Sequence, residues 1–149
     1  MSILDNLTSK FRVDAIEEPS TEESIEQLKS FSPVEVPDDY IDIIRTGTDV
    51  EINAQVEDED GEYEMYLRIW GADASPENSE GHNLDKYIPN SLMIGDNEGG
   101  MAIIYGTGKE GLGIYLTGFG DLDISDAIYI ASSLKDLLTK NVGIENLEG

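Results

Sequence analysis

The sequence predicts a single α+β domain, and three observations carry that expectation. The chain has 149 residues, 39% of them hydrophobic, which is the length of one ordinary domain. A chain that long buries roughly 68–70% of the surface its unfolded form exposes. Its apolar residues recur at helical spacing before Val50 and at every second position after it. A helical pattern returns near the C-terminus, so helices bracket a run of short strands.

Taken in order, Met1 to Val13 spaces Leu4, Leu7 and Phe11 at helical intervals. This predicts a short helix in an N-terminal extension over 1–19, with the domain proper over 20–149. Ser20 to Phe31 predicts a helix capped by Ser20, with Glu23 closing a capping box and Ile25 and Leu28 as its apolar stripe. Val36-Pro37-Asp38-Asp39-Tyr40 opens a second helix, because proline in the first turn loses no hydrogen bond. Tyr40, Ile43 and Ile44 face inward there, and Gly47 ends the helix.

From Val50 the period is two. Val50, Ile52, Ala54 and Val56 alternate with Glu51, Asn53, Gln55 and Glu57; after Asp60-Gly61, Tyr63, Met65, Leu67 and Ile69 alternate with Glu64, Tyr66, Arg68 and Trp70. That pattern is an antiparallel hairpin with one buried face. Gly71 to Lys86 is polar, contains Pro76 and reads as a long loop with at most one helical turn. Strands follow at Leu92–Gly95, Met101–Tyr105 and Leu112–Thr117, separated by glycine-rich turns. A last strand runs through Ala131, and Ser133 with Asp136 three residues on starts a closing helix that ends near Lys140.

Charge is the outlying property. Thirty-two acids against nine bases give a formal charge of −23. Such a surface repels phosphate backbones and anionic lipid heads, and attracts a basic protein over long range. The acids are unevenly spread. No Lys or Arg occurs between Arg45 and Arg68, a stretch that holds Asp49, Glu51, Glu57, Asp58, Glu59, Asp60, Glu62 and Glu64. No run approaches the ~20 apolar residues of a membrane span, and the N-terminus lacks the pattern of a secretory signal. The expected compartment is the cytoplasm. With no cysteine in the chain, disulfides and thiolate metal sites are excluded.

Catalytic signals are weak. Gly106-Thr107-Gly108-Lys109-Glu110-Gly111 matches a dinucleotide fingerprint in letters, but a strand follows where the fingerprint needs a helix N-terminus, so it reads as a hairpin turn. Asp58, Asp60 and Gly61 resemble a calcium loop, yet aligning the glycine puts Val56 at the first carboxylate position. His82, the only histidine, sits in a polar stretch with no relay partner singled out by spacing. The expectation is a protein without catalytic, cofactor or metal residues. The outer hairpin face does have a recognition character, since Tyr66, Arg68 and Trp70 are interface-anchoring types. The alternative is that a helix covers this face and the aromatics belong to a second core.

Several blocks together resemble the SUKH superfamily. They are Val36-Pro37-Asp38-Asp39-Tyr40, Leu67-Arg68-Ile69-Trp70-Gly71, Lys86-Tyr87-Ile88-Pro89-Asn90-Ser91-Leu92, Ile94-Gly95-Asp96-Asn97-Glu98-Gly99-Gly100 and the tail from Tyr129 to Leu138. They occur in the family's order over roughly 20–142. The resemblance implies a mainly antiparallel sheet, here of five to six strands, flanked by helices. For most bacterial members it implies binding and neutralising a cognate polymorphic or contact-dependent toxin. The superfamily also includes adaptors and regulators, which is the competing expectation; a small carboxylate-dependent hydrolase is a third. The family shares no catalytic residues, and its motifs look like fold determinants. The expected partner is a toxin with a basic surface, met by Glu57, Asp58, Glu59, Asp60, Glu62, Tyr66, Arg68 and Trp70, with Asp96 and Glu98 in addition. The chain is expected to be a monomer or weak dimer.

Overall fold

The computed structural model describes residues 2–148. Seven antiparallel strands run in simple sequential order: β1 (Phe11–Glu17), β2 (Thr48–Asp58), β3 (Gly61–Ile69), β4 (Leu92–Asp96), β5 (Met101–Gly108), β6 (Gly111–Gly118) and β7 (Ile128–Ala131). Five helices accompany them: α1 (Glu22–Phe31), α2 (Asp38–Thr46), α3 (Ala74–Gly81), α4 (Leu84–Tyr87) and α5 (Leu134–Lys140). The α+β class stands, with seven strands where five to six were expected.

The additional strand comes from a segment whose spacing suggested a helix. Only Ile3–Asp5 forms a single 3-10 turn, and Phe11–Glu17 pairs with β2 instead. Phe11 and Val13 lie opposite Ala54 and Ile52 and turn to the core, while Arg12 lies opposite Asn53 on the other side. Alternation of Phe11, Val13 and Ala15 with Arg12 and Asp14 was the signal, and the wider Leu4–Leu7–Phe11 spacing masked it.

The hairpin β2–β3 matches the period-two reading. Val50, Ile52, Ala54 and Val56 are buried opposite Ile69, Leu67, Met65 and Tyr63. Its turn is Glu59-Asp60, closed by Asp58 opposite Gly61, whose φ of 124° a side chain rarely adopts. Gly106 to Gly111 is likewise a hairpin, closing at Gly108 opposite Gly111.

One side of the sheet packs on α1, α2, α5 and the C-terminal 3-10 turn. Ile25, Leu28, Tyr40, Ile43, Ile44, Leu134 and Leu137 meet the inward residues of the strands there. Thr21 caps α1 by accepting from the Ser24 amide at 3.0 Å, rather than the expected Ser20. Ser20 instead accepts from the Ala72 amide at 2.9 Å and ties the start of α1 to the end of β3. Ser133 caps α5 as its spacing predicted, accepting from the Asp136 amide at 3.1 Å.

The other side of the sheet is covered over only part of its width. Helices α3 and α4, with residues 119–127, enclose a second core of Trp70, Leu84, Ile88, Met93, Ala102, Ile104 and Tyr115. Two helices therefore stand where a loop with one helical turn was expected. The polar composition of α3 concealed it, because its inward residues are serines. Ser75 donates to the Met93 carbonyl at 2.5 Å, and Ser79 accepts from the Met93 amide at 3.0 Å. These bonds satisfy β4 where an apolar helix would only pack.

Candidate protein-interaction face

Strands β1, β2 and β3 present a polar face on the side of the sheet that α3 and α4 cover farther along. Register assigns its residues: Glu51 pairs with Arg68, Asn53 with Tyr66, Gln55 with Glu64 and Glu57 with Glu62. Arg12 joins from β1 and Asp96 from β4. The face thus gathers Asp14, Glu51, Glu57, Glu62, Glu64, Asp96 and Glu98 around only Lys10, Arg12 and Arg68.

Each of those three cations already has a carboxylate. Lys10 lies 3.6 Å from Glu57, and Arg12 donates to Asp14 at 2.6 Å. The Arg12 guanidinium holds the Asp14 carboxyl below the usual range. Arg68 donates to Glu98 at 2.7 Å and approaches Glu51 at 3.7 Å. Partial burial, and next the like charge of Glu51, push the Glu98 carboxyl up, against the pull of Arg68. The cations knit the face together without reversing its sign.

The sequence-predicted residues separate into three groups. Glu57, Asp58, Glu59, Asp60 and Glu62 form the exposed hairpin tip, where Asp58 accepts from the Asp60 amide at 2.7 Å. Tyr66, Arg68, Asp96 and Glu98 sit on the face itself, and the Tyr66 hydroxyl donates to Glu64 at 3.2 Å. For Trp70 the alternative expectation holds, an aromatic in a second core and not an exposed anchor. It is 6% exposed, belongs to the second core and stacks on Phe119 with ring centres 6.3 Å apart. Its parity along β3 was read correctly, but the covered part of the sheet begins at this residue. The indole N–H still reaches the face, donating to Asp96 at 2.8 Å. Asp96 in turn accepts from the Glu98 amide at 2.8 Å.

Sequence reasoning missed the contribution of β1 and of Asn53. A shallow groove of about 570 Å³ runs where the face meets α3, lined by Ala15, Glu17, Asp49, Glu51, Arg68, Trp70, Ala74, Asn78 and Asp96. Another, of about 500 Å³, lies between the end of α1 and α3–α4, with Phe31, Pro33 and Leu84 in its wall. His82 lines neither; its ring packs 4.9 Å from that of Phe119. Among the described residues no three His, Cys, Asp or Glu side chains gather as metal ligands would. No helix among them is long and apolar enough to cross a membrane.

The profile of the SMI1 / KNR4 family (SUKH-1) matches residues 19–140. No curated protein matches the chain. The matched span takes in the helix-starting Pro37, the strand end at Trp70-Gly71, the buried Ile88 and Ser91 and the β4 block through Gly100, all of which serve the fold described above. Ordered blocks, antiparallel α+β architecture and a profile match over most of the chain agree: the protein belongs to the SMI1 / KNR4 (SUKH-1) family.

Proposed function

We propose that this chain is an immunity protein. In this reading it acts in the cytoplasm, where it binds a cognate polymorphic or contact-dependent toxin and occludes the active or substrate-binding site. It performs no chemistry of its own and needs no cofactor. The observation that carries the reading is the carboxylate-rich face and hairpin tip on a member of this family. Toxins that act on nucleic acid hold basic clefts, and a rigid array of carboxylates competes there with phosphate. The steering field of a −23 chain brings the two together quickly.

The test is made in cells and with purified proteins. A toxin domain encoded beside this gene is expressed with and without the chain, and growth is scored. Co-expression restores growth if the reading holds. Reversing the charges of Glu57, Asp58, Glu59 and Asp60 then slows association and flattens its dependence on salt. A reversed chain that protects fully, with binding equally fast at low and high salt, contradicts electrostatic occlusion.

A further inference from the structure

The side-chain amide of Asn53 is only half paired within the fold. It lies at the middle of β2, on the polar face, between its cross-strand neighbours Arg12 and Tyr66. The residue is 1% exposed. Its side-chain oxygen accepts from the Gln55 side-chain NH₂ at 2.9 Å, while its own side-chain nitrogen finds no partner. A buried donor left unpaired carries a free-energy cost, and a strand position of this kind is filled more stably by valine or threonine. No element of the fold pairs this donor, and its lateral neighbours are surface side chains. Arg12 is well exposed, and the Tyr66 hydroxyl is held only by its bond to Glu64.

We infer that the β1–β3 face, centred on Asn53, is the docking surface for a basic protein segment. The segment places its cations against Glu51, Glu64 and Asp96 and offers a main-chain carbonyl to the Asn53 amide. This rests on the protein-binding reading above and names the contact within it. Charge complementarity selects the occupant. A second copy of this chain would bring carboxylates against carboxylates, and nucleic acid would bring phosphates. A basic peptide alone supplies both the cations and the carbonyl acceptor. Turning Tyr66 aside opens the way to the amide, and the orphaned donor then gains its bond at the moment of binding.

The unaltered chain tests this by proton–nitrogen NMR at physiological ionic strength. The probe is a synthetic peptide of alternating arginine and glycine. Both reporters are intrinsic: the side-chain NH₂ of Asn53 and the indole N–H of Trp70, the sole tryptophan. The expected result is that these two signals shift most as peptide is added. Spermine, a polycation without a carbonyl, shifts the indole but leaves the Asn53 amide in place. Shifts confined to the 57–62 tip, or spread evenly over the acidic surface, overturn the inference, as does an equal response of Asn53 to spermine. Asn53→Val is expected to keep or raise the melting temperature while weakening peptide binding about fivefold, the worth of one hydrogen bond. Unchanged affinity overturns the inference. Growth rescue is scored separately. A chain that rescues without a response at Asn53 refutes this contact alone, and one that responds without rescuing refutes only the toxin reading.

Discussion

The same side of one sheet is built in two ways. Over β4–β7 it carries Met93, Ala102, Ile104 and Tyr115 beneath α3, α4 and residues 119–127. Over β1–β3 it carries Glu51, Asn53, Gln55, Glu64, Tyr66 and Arg68, outside the part that α3 and α4 cover. The two halves join at a narrow seam: β3 and β4 pair at Arg68 with Asp96 and Ile69 with Gly95, and the Trp70 amide donates to the Ile94 carbonyl at 2.9 Å. Gly95 permits that join: a Cβ there would stand 2.1 Å from the Arg68 carbonyl oxygen. Trp70 sits on the boundary, its ring in the covered core and its N–H bonded to the carboxylate of the open half. The difference teaches that one half of this side is sealed into a core while the other keeps its polar side chains uncovered.

If that division is right, substitutions on the two halves differ sharply. Trp70→Ala empties a core site and costs about 3–5 kcal/mol. Tyr66→Ala, two same-face positions back along the strand on the open half, costs under about 1 kcal/mol. Urea denaturation of both variants checks this, and equal losses would dissolve the distinction. Gly95→Ala comes next, because its methyl group meets backbone that has no room to yield. We expect a loss of about 1–3 kcal/mol from overpacking, with the β3–β4 amides exchanging faster than those inside either half. Uniform exchange would mean that the seam is no boundary.

A smaller effect sharpens the electrostatics of the open half. Glu98 titrates above an ordinary carboxylate, chiefly through burial and then through Glu51. A carboxyl whose folded midpoint is raised opposes folding as pH climbs from its unfolded midpoint through its folded one, and has no effect below the unfolded midpoint. Replacing Glu51 with Gln removes the like charge, so the Glu98 midpoint should move down in a carbon-detected NMR titration. A midpoint that stays in place would show that the two carboxylates do not interact.

What was legible in the sequence follows the same division. The β2–β3 hairpin could be read because alternation places its aliphatic residues on the side that α1, α2 and α5 cover. The helices α2 and α5 could be read from Pro37 and from Ser133 with Asp136. The covering of the second side could not, because α3 turns Ser75 and Ser79 inward and bonds β4 instead of burying aliphatics. The alternation alone therefore left Trp70 open between an exposed anchor and the second core it closes. Strand β1 was hidden by a helical spacing that runs across its boundary, and with it went Arg12 and Asp14, which complete the face. Asn53 looked like any outward polar residue of a strand. Its isolation shows only when both neighbouring strands are in place.

The central claim is that a basic partner docks on the open half of the sheet, and one kinetic measurement addresses it most directly. The association rate of the chain with its proposed toxin partner is followed across ionic strength in three proteins. They are the unaltered chain, a Glu62→Lys, Glu64→Lys variant on the open half, and a Glu23→Lys, Glu26→Lys variant on exposed positions of α1. All carry the same net charge change where they carry one, so only position differs between the variants. The account predicts that reversal on the open half slows low-salt association by about tenfold or more and flattens the salt dependence, while reversal on α1 changes little. Equal slowing by both variants, or a rate that salt does not alter, would contradict it.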